Sequence, residues 1–107
     1  MNANAMKDAE LIPTDRENLE AMRAEAGAVL ASGDAVGIEG RIVAYRELEG
    51  ALTTSIEDLG NLIVELAEAD DADDEEINTV DALRSSQLAM RRYTRELRSD
   101  MERALAS

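Results

Sequence analysis

Nine apolar residues between positions 38 and 66 constrain this chain more than any other feature of its sequence. Ile38, Ile42, Tyr45, Leu48, Leu52, Ile56, Leu59, Ile63 and Leu66 recur at steps of four, three, three, four, four, three, four and three. A strand would alternate with period two, and a lone surface helix would follow a period of about 3.6. The mean step here is 3.5 residues, the repeat of helices wound about one another. The spacing therefore predicts one long helix over about residues 35–69, starting near Asp34. Gly37, Gly40, Gly50 and Gly60 fall inside it, and each disfavours a helix by about 1 kcal/mol relative to Ala. Either a neighbouring helix approaches closely enough to need them, or the helix breaks near Gly37 to Gly40 and starts later. The unbroken stripe favours the first.

A second stripe follows. Ile77, Val80, Leu83, Met90, Tyr93 or Thr94, Leu97, Met101 and Leu105 line one face of a helix over about residues 74–105, with Gln87 in the slot between Leu83 and Met90. Asp73 is placed to cap it, and Asp74, Glu75 and Glu76 favour the positive end of its dipole. Folded back on the first stripe, the second matches it almost step for step. Ile38 meets Leu105, Ile42 meets Met101, Tyr45 meets Leu97, Leu52 meets Met90, Leu59 meets Leu83, Ile63 meets Val80 and Leu66 meets Ile77. Ile56 opposite Gln87 is the exception, and a glutamine bent out to solvent accounts for it more simply than one that fixes register.

Upstream, Leu19, Met22, Ala26, Val29 and Leu30 mark a shorter helix over about residues 15–31 that stops at Ser32-Gly33. Thr14 and Glu17 have the spacing of a capping box, and Pro13 closes off anything before them. Residues 1–13 read as a flexible arm, with Leu11 and Ile12 as an anchor, and residues 14–107 as one helical domain. The fold expected is all-α, a long antiparallel, coiled-coil-like helical hairpin with a shorter N-terminal helix. It closes either as a three-helix bundle or as a dimeric helical bundle.

Composition narrows the function. The 107 residues include 24 acidic and 11 basic side chains, a formal charge of −13, and no cysteine or histidine. Disulfides, thiolate chemistry, the usual zinc sites and imidazole catalysis are excluded. The charge disfavours direct binding to nucleic acid or to an anionic membrane, and no segment has the roughly 20 apolar residues of a membrane span. A soluble, cytoplasmic, non-enzymatic protein without cofactor or metal is expected.

Three surfaces are candidates for contact. Val36, Val43, Leu62 and Val64 lie off the main stripe of the long helix, and the short helix covers only about half of a rod close to 50 Å long. They are expected to bury against a second copy, giving a homodimer, or against the helix of another protein. The second surface is the acidic run from Glu65 to Glu76, with Asp70, Asp71, Asp73 and Asp74 at its centre. It fails as a calcium loop, because Glu76 and Ala82 stand where glycine and glutamate are required. It reads instead as a solvated, self-repelling turn. The third is a strip of Arg91, Arg92, Arg95 and Arg98, in a C-terminal stretch with a net charge of +3 from residue 84 onward. These arginines serve either as internal ion-pair partners for Glu39, Glu47 and Glu49 or as an interface strip.

The leading expectation is a protein-protein interaction module, an adaptor, chaperone or inhibitor that acts by occlusion or scaffolding. An alternative is an acidic mimic of nucleic acid, of the kind phage use to block a DNA- or RNA-binding defence protein. A third is a metal-dependent, all-helical nucleotide hydrolase. Such enzymes hold magnesium with paired E-x-x-E and E-x-x-D motifs, whereas Asp58 and Asn61 give D-x-x-N here, and Glu47 and Glu49 do not share a helix face.

Overall fold

In the computed structural model, which describes residues 10–107, three helices account for nearly all of the described residues: α1 (Pro13–Ser32), α2 (Ala35–Glu68) and α3 (Asp74–Ala106). There is no strand among the described residues. The protein is all-α, and α2 and α3 form the long antiparallel hairpin, with α1 packed mainly on α3. The longest dimension is 56 Å. Among the described residues no helix is long and apolar enough to cross a membrane.

Each helix starts and stops for a local reason. The Asp34 carboxylate accepts from the Val36 backbone N–H, and that of Asp73 from Glu75 N–H, so both long helices are capped as their sequences predict. Gly33 ends α1 in the left-handed conformation (φ 68°), its N–H donating to the Leu30 carbonyl. The capping box at Thr14 does not form. The helix begins two residues earlier, with Pro13 in its first turn and Ile12 as an N-cap that offers no side-chain acceptor. Proline has no N–H to satisfy, its φ is already helical, and it holds the residue before it extended. Pro13 thus opens α1 rather than closing off what precedes it.

Residues 1–9 of the expected flexible arm lie outside the described residues. The rest of that segment is held in place: Leu11 is 3% exposed, and the Ile12 N–H donates to Ser86 Oγ at 2.9 Å.

The seam obeys a stricter repeat than the apolar residues alone suggest. Ile38, Ile42, Tyr45 and Ile56 are buried in α2, and so is Glu49. With Glu49 in place of Leu48 the steps become a regular alternation of four and three. On α3 the matching positions are Val80, Met90, Thr94 and Met101, with Gln87 half-buried between the first two. Thr94 and Met101 are fully buried, Thr94 satisfying its hydroxyl on the Met90 carbonyl at 2.7 Å. Gln87 does not bend away to solvent, because its Oε1 is buried without a hydrogen-bond partner. At the open end Leu105 is exposed, and Ala104 packs against the Ile38 cluster in its place.

The helix α2 runs unbroken through all four glycines, but a side chain would be crowded at only two of them. A Cβ on Gly37 would lie 3.2 Å from Asp34 Oδ2 and 3.6 Å from Val29 of α1, and one on Gly60 would lie 3.3 Å from Arg84 Nε. At Gly40 and Gly50 it would meet nothing within 4 Å.

Candidate functional site

The hairpin has two unlike halves. In the proximal half, which holds the start of α2 and the end of α3, α1 lies in the groove between the long helices. It contributes Leu19, Met22, Ala26, Val29 and Leu30 to two core clusters, with Leu11 just before it. Ala89 and Tyr93 turn towards α1 rather than into the α2 seam, and Ser86 donates to Asp15 Oδ2 at 2.6 Å while accepting from Ile12. The guanidiniums of Arg23 and Arg92 each lie over the Tyr93 ring, at 5.4 and 5.2 Å from its centroid. These clusters end at Leu52 on α2 and close to Ser86 on α3.

The arginines of this half are engaged within the protein, although Glu17, Glu20, Glu39, Glu47 and Glu96 take part in no described ion pair. The centre is Glu49, which accepts from Arg95 Nε at 3.1 Å and from Arg98 Nε and NH2 at 2.5 and 3.1 Å. Arg98 also reaches Glu102 at 2.9 Å, and Arg46 pairs with Glu102 at 3.2 Å. The Arg98 hydrogen bond dominates in holding the Glu49 carboxyl below the usual carboxylate range, against a smaller upward push from burial. Arg41 pairs with Glu25 of α1 at 3.1 Å, and Arg92 with Glu10 at 2.9 Å. Burial pushes the Tyr45 hydroxyl up, and that oxygen has no hydrogen-bond partner.

Arg84, Arg91 and Arg98 are spaced by seven, so they share one flank of α3, and all three bind α2. Arg84 donates to the Ile56 carbonyl at 3.3 Å and Arg91 to Thr53 Oγ1 at 3.1 Å, while Arg98 holds Glu49. Gly60, one turn beyond Ile56, leaves that carbonyl open to Arg84. The four arginines singled out in the sequence thus divide: Arg91, Arg95 and Arg98 turn inward to α2, and Arg92 lies over Tyr93 and pairs with Glu10.

The apolar residues singled out are all exposed: Val36 77%, Val43 55%, Leu62 38% and Val64 54%. They do not form one patch. Val36, Val43 and Val64 share a heptad phase on the flank away from α1, with about 31 Å between Val43 and Val64. Leu62 has the phase of Arg41 and Leu48, the flank on which Arg41 meets α1.

The distal half differs in cover and charge. Leu59, Ile63, Leu66, Ile77 and Leu83 are only half-buried there. Residues 50–83 hold eleven Asp or Glu and no Lys or Arg, and none of these carboxylates takes part in a described ion pair. Asp70 and Asp71 stand exposed in the turn, Asp73 caps α3, and Asp74 opens it. Among the described residues no group of three or more carboxylates is placed to hold a metal ion. Glu49, which with Glu47 has the wrong spacing for the hydrolase motif, is committed to two arginines.

Of the three acids expected to pair with the arginine strip, Glu49 does and Glu39 and Glu47 take part in no described ion pair; the place of Glu49 in the seam was missed because the sequence reading followed apolar residues only, though counting in sevens from Ile42 arrives at it. Comparison of the chain with family models, curated proteins and solved structures returns no match.

Proposed function

We propose that this chain is a non-catalytic protein-interaction module that acts by occlusion or scaffolding through the distal half of its hairpin. One contrast carries the reading. The proximal half has its groove filled by α1 and its arginines engaged within the protein, whereas residues 50–83 leave a partly covered apolar seam among eleven carboxylates with no described ion pair. An apolar strip rimmed by charge is the usual anatomy of a protein-binding surface. The buried carboxylate of the proximal interior is held by Arg95 and Arg98 and is thereby poorly placed to move a proton.

The test is photo-crosslinking in the native host, with a photoreactive residue at position 62 or, as a control on the outer face of the proximal half, at position 47. A discrete protein adduct from position 62 and none from position 47 is expected. Equal adducts from both, or none from either, would overturn the reading.

Mimicry of nucleic acid is the second reading, favoured by the uninterrupted negative charge of residues 50–83. It requires the acidic tip and the Asp and Glu faces to be the contact. Replacing Asp70, Asp71, Asp73 and Asp74 together with Asn abolishes partner capture under mimicry and leaves most of it under apolar docking.

A further inference from the structure

The groove that α1 fills does not end where α1 does. Ser86 and Ala89 face α1 on one wall, and one heptad farther along the same flank of α3 come Thr79 and Ala82. On the opposite wall, Arg41 marks the flank of α2 that meets α1, and Leu62 lies three heptads farther along it. Leu62 is 38% exposed, Leu59 and Leu66 beside it are half-buried, and Ala82 is exposed. The same groove is thus closed by a helix in one half of the rod and open in the other. From residue 55 to residue 68 the open part is about 20 Å long, four turns of helix.

Charge decides what fits it. Asp58 and Glu65 flank Leu62 along α2, one turn away on either side, and Glu75 lies one heptad below Ala82 on α3; all three are exposed. A second copy is a poor occupant. Two distal halves together would oppose eleven negative charges to eleven, and a head-to-tail arrangement would meet a proximal groove that α1 already fills. Resting on the reading of the chain as an interaction module, we infer that the distal groove binds a cationic amphipathic helix of another protein. That helix lies end to end with α1, its apolar face on Leu59, Leu62 and Leu66 and its Lys and Arg side chains against Asp58, Glu65 and Glu75.

The probe is a synthetic amidated peptide of about fourteen residues, the length of the open groove. It carries Leu on one helical face and Lys and Arg elsewhere, and is titrated beside a scrambled peptide of the same composition. The patterned peptide is expected to bind one to one and the scrambled one at least about tenfold more weakly, the worth of burying one or two leucines. Leu62→Asp should weaken the patterned peptide at least about tenfold with unchanged helical circular dichroism, since the site is exposed in the free protein. A variant carrying Asp58→Asn, Glu65→Gln and Glu75→Gln should weaken binding and flatten its dependence on salt.

Equal binding of both peptides would overturn the inference in favour of bare charge attraction. A dimer in light scattering that Leu62→Asp dissociates would overturn it in favour of a second copy. If neither peptide binds while position 62 still crosslinks to a protein in cells, the cationic helix is wrong and the interaction module stands. If both fail, both readings fall.

Discussion

Glu49 and Arg98 form a two-pronged ion pair inside the seam of the hairpin, at a heptad position whose neighbours along α2 are Tyr45 and Leu52. The Glu49 side chain is 11% exposed and that of Arg98 20%, so each keeps little water and depends on the other. A pair of this kind is costly to break from one side and cheap to replace as a unit. Glu49→Leu alone should lose about 2 kcal/mol in denaturant unfolding, allowing for solvent access at Arg95, whose side chain is 56% exposed. Glu49→Leu with Arg98→Met should recover most of that loss. Additive losses in the double variant would show that the two residues stabilise the hairpin independently.

The same pair sets a pH dependence. The Glu49 carboxyl is held below its usual range chiefly by Arg98, so the unfolded chain takes up its proton at higher pH than the folded one. Its contribution is present in full above the unfolded value, about 4.3, and fades as pH falls through the lower folded value. The difference in melting temperature between the native chain and Glu49→Gln should be largest near neutrality and vanish in strong acid. A difference that stayed constant across the range would mean that the carboxylate's charge plays no part.

Much of this architecture was legible because apolar spacing and end chemistry act locally. The stripes on α2 and α3, the caps at Asp34 and Asp73 and the stop at Gly33 each depend on a few adjacent residues. The start of α1 was not, because two start signals overlapped and Pro13, which needs no partner, prevailed over Thr14. Nor was Tyr93, which has the right spacing for the α2 seam but turns towards Leu11 and Leu19, while Thr94 enters the seam. Only the position of α1 decides between them, and that is a long-range fact. The split of Val36, Val43 and Val64 from Leu62 was available from heptad phase, but which flank α1 covers was not.

The glycines separate into two kinds with opposite expected responses. Gly40→Ala and Gly50→Ala should each stabilise the protein by up to about 1 kcal/mol, since both sit inside a helix with open space at the new methyl. Gly33→Ala should destabilise by about 1 kcal/mol, because its φ of 68° disfavours any side chain. Gly60→Ala should gain less than the first pair or lose, as the methyl displaces Arg84 from the Ile56 carbonyl. Equal gains at Gly50 and Gly60 in thermal unfolding would show that the Arg84 contact carries no energy.

Gln87 places a polar atom where the seam calls for an apolar one, and its Oε1 finds no partner there. Leaving such a group unpaired costs about 1 to 3 kcal/mol, so Gln87→Leu should stabilise the hairpin by about 1 kcal/mol after repacking against Ile56. A loss of stability instead would mean that the amide makes a compensating contact through its nitrogen. The same variant should leave binding at Leu62 unchanged, because Gln87 points into the α2–α3 seam.

Uneven cover should give uneven dynamics. Tyr45, Met90 and Met101 are each buried within clusters that include α1, whereas Leu59, Ile63, Leu66 and Ile77 have only the facing arm of the hairpin over them. Opening the distal end exposes less apolar surface and relieves repulsion among carboxylates that form no described ion pair, so it costs less free energy than opening the proximal end. Amide hydrogen exchange should show strong protection at residues 42–56 and 89–101, falling towards the turn from residue 59 and from residue 83. Adding salt should narrow the gap by screening the acidic end. The patterned cationic peptide should close it further, and selectively, because a helix seated on Leu62 supplies the third wall that α1 provides elsewhere. Uniform protection in the free chain would mean that the distal groove is already covered in solution, and its concentration dependence would tell whether another copy of the chain covers it.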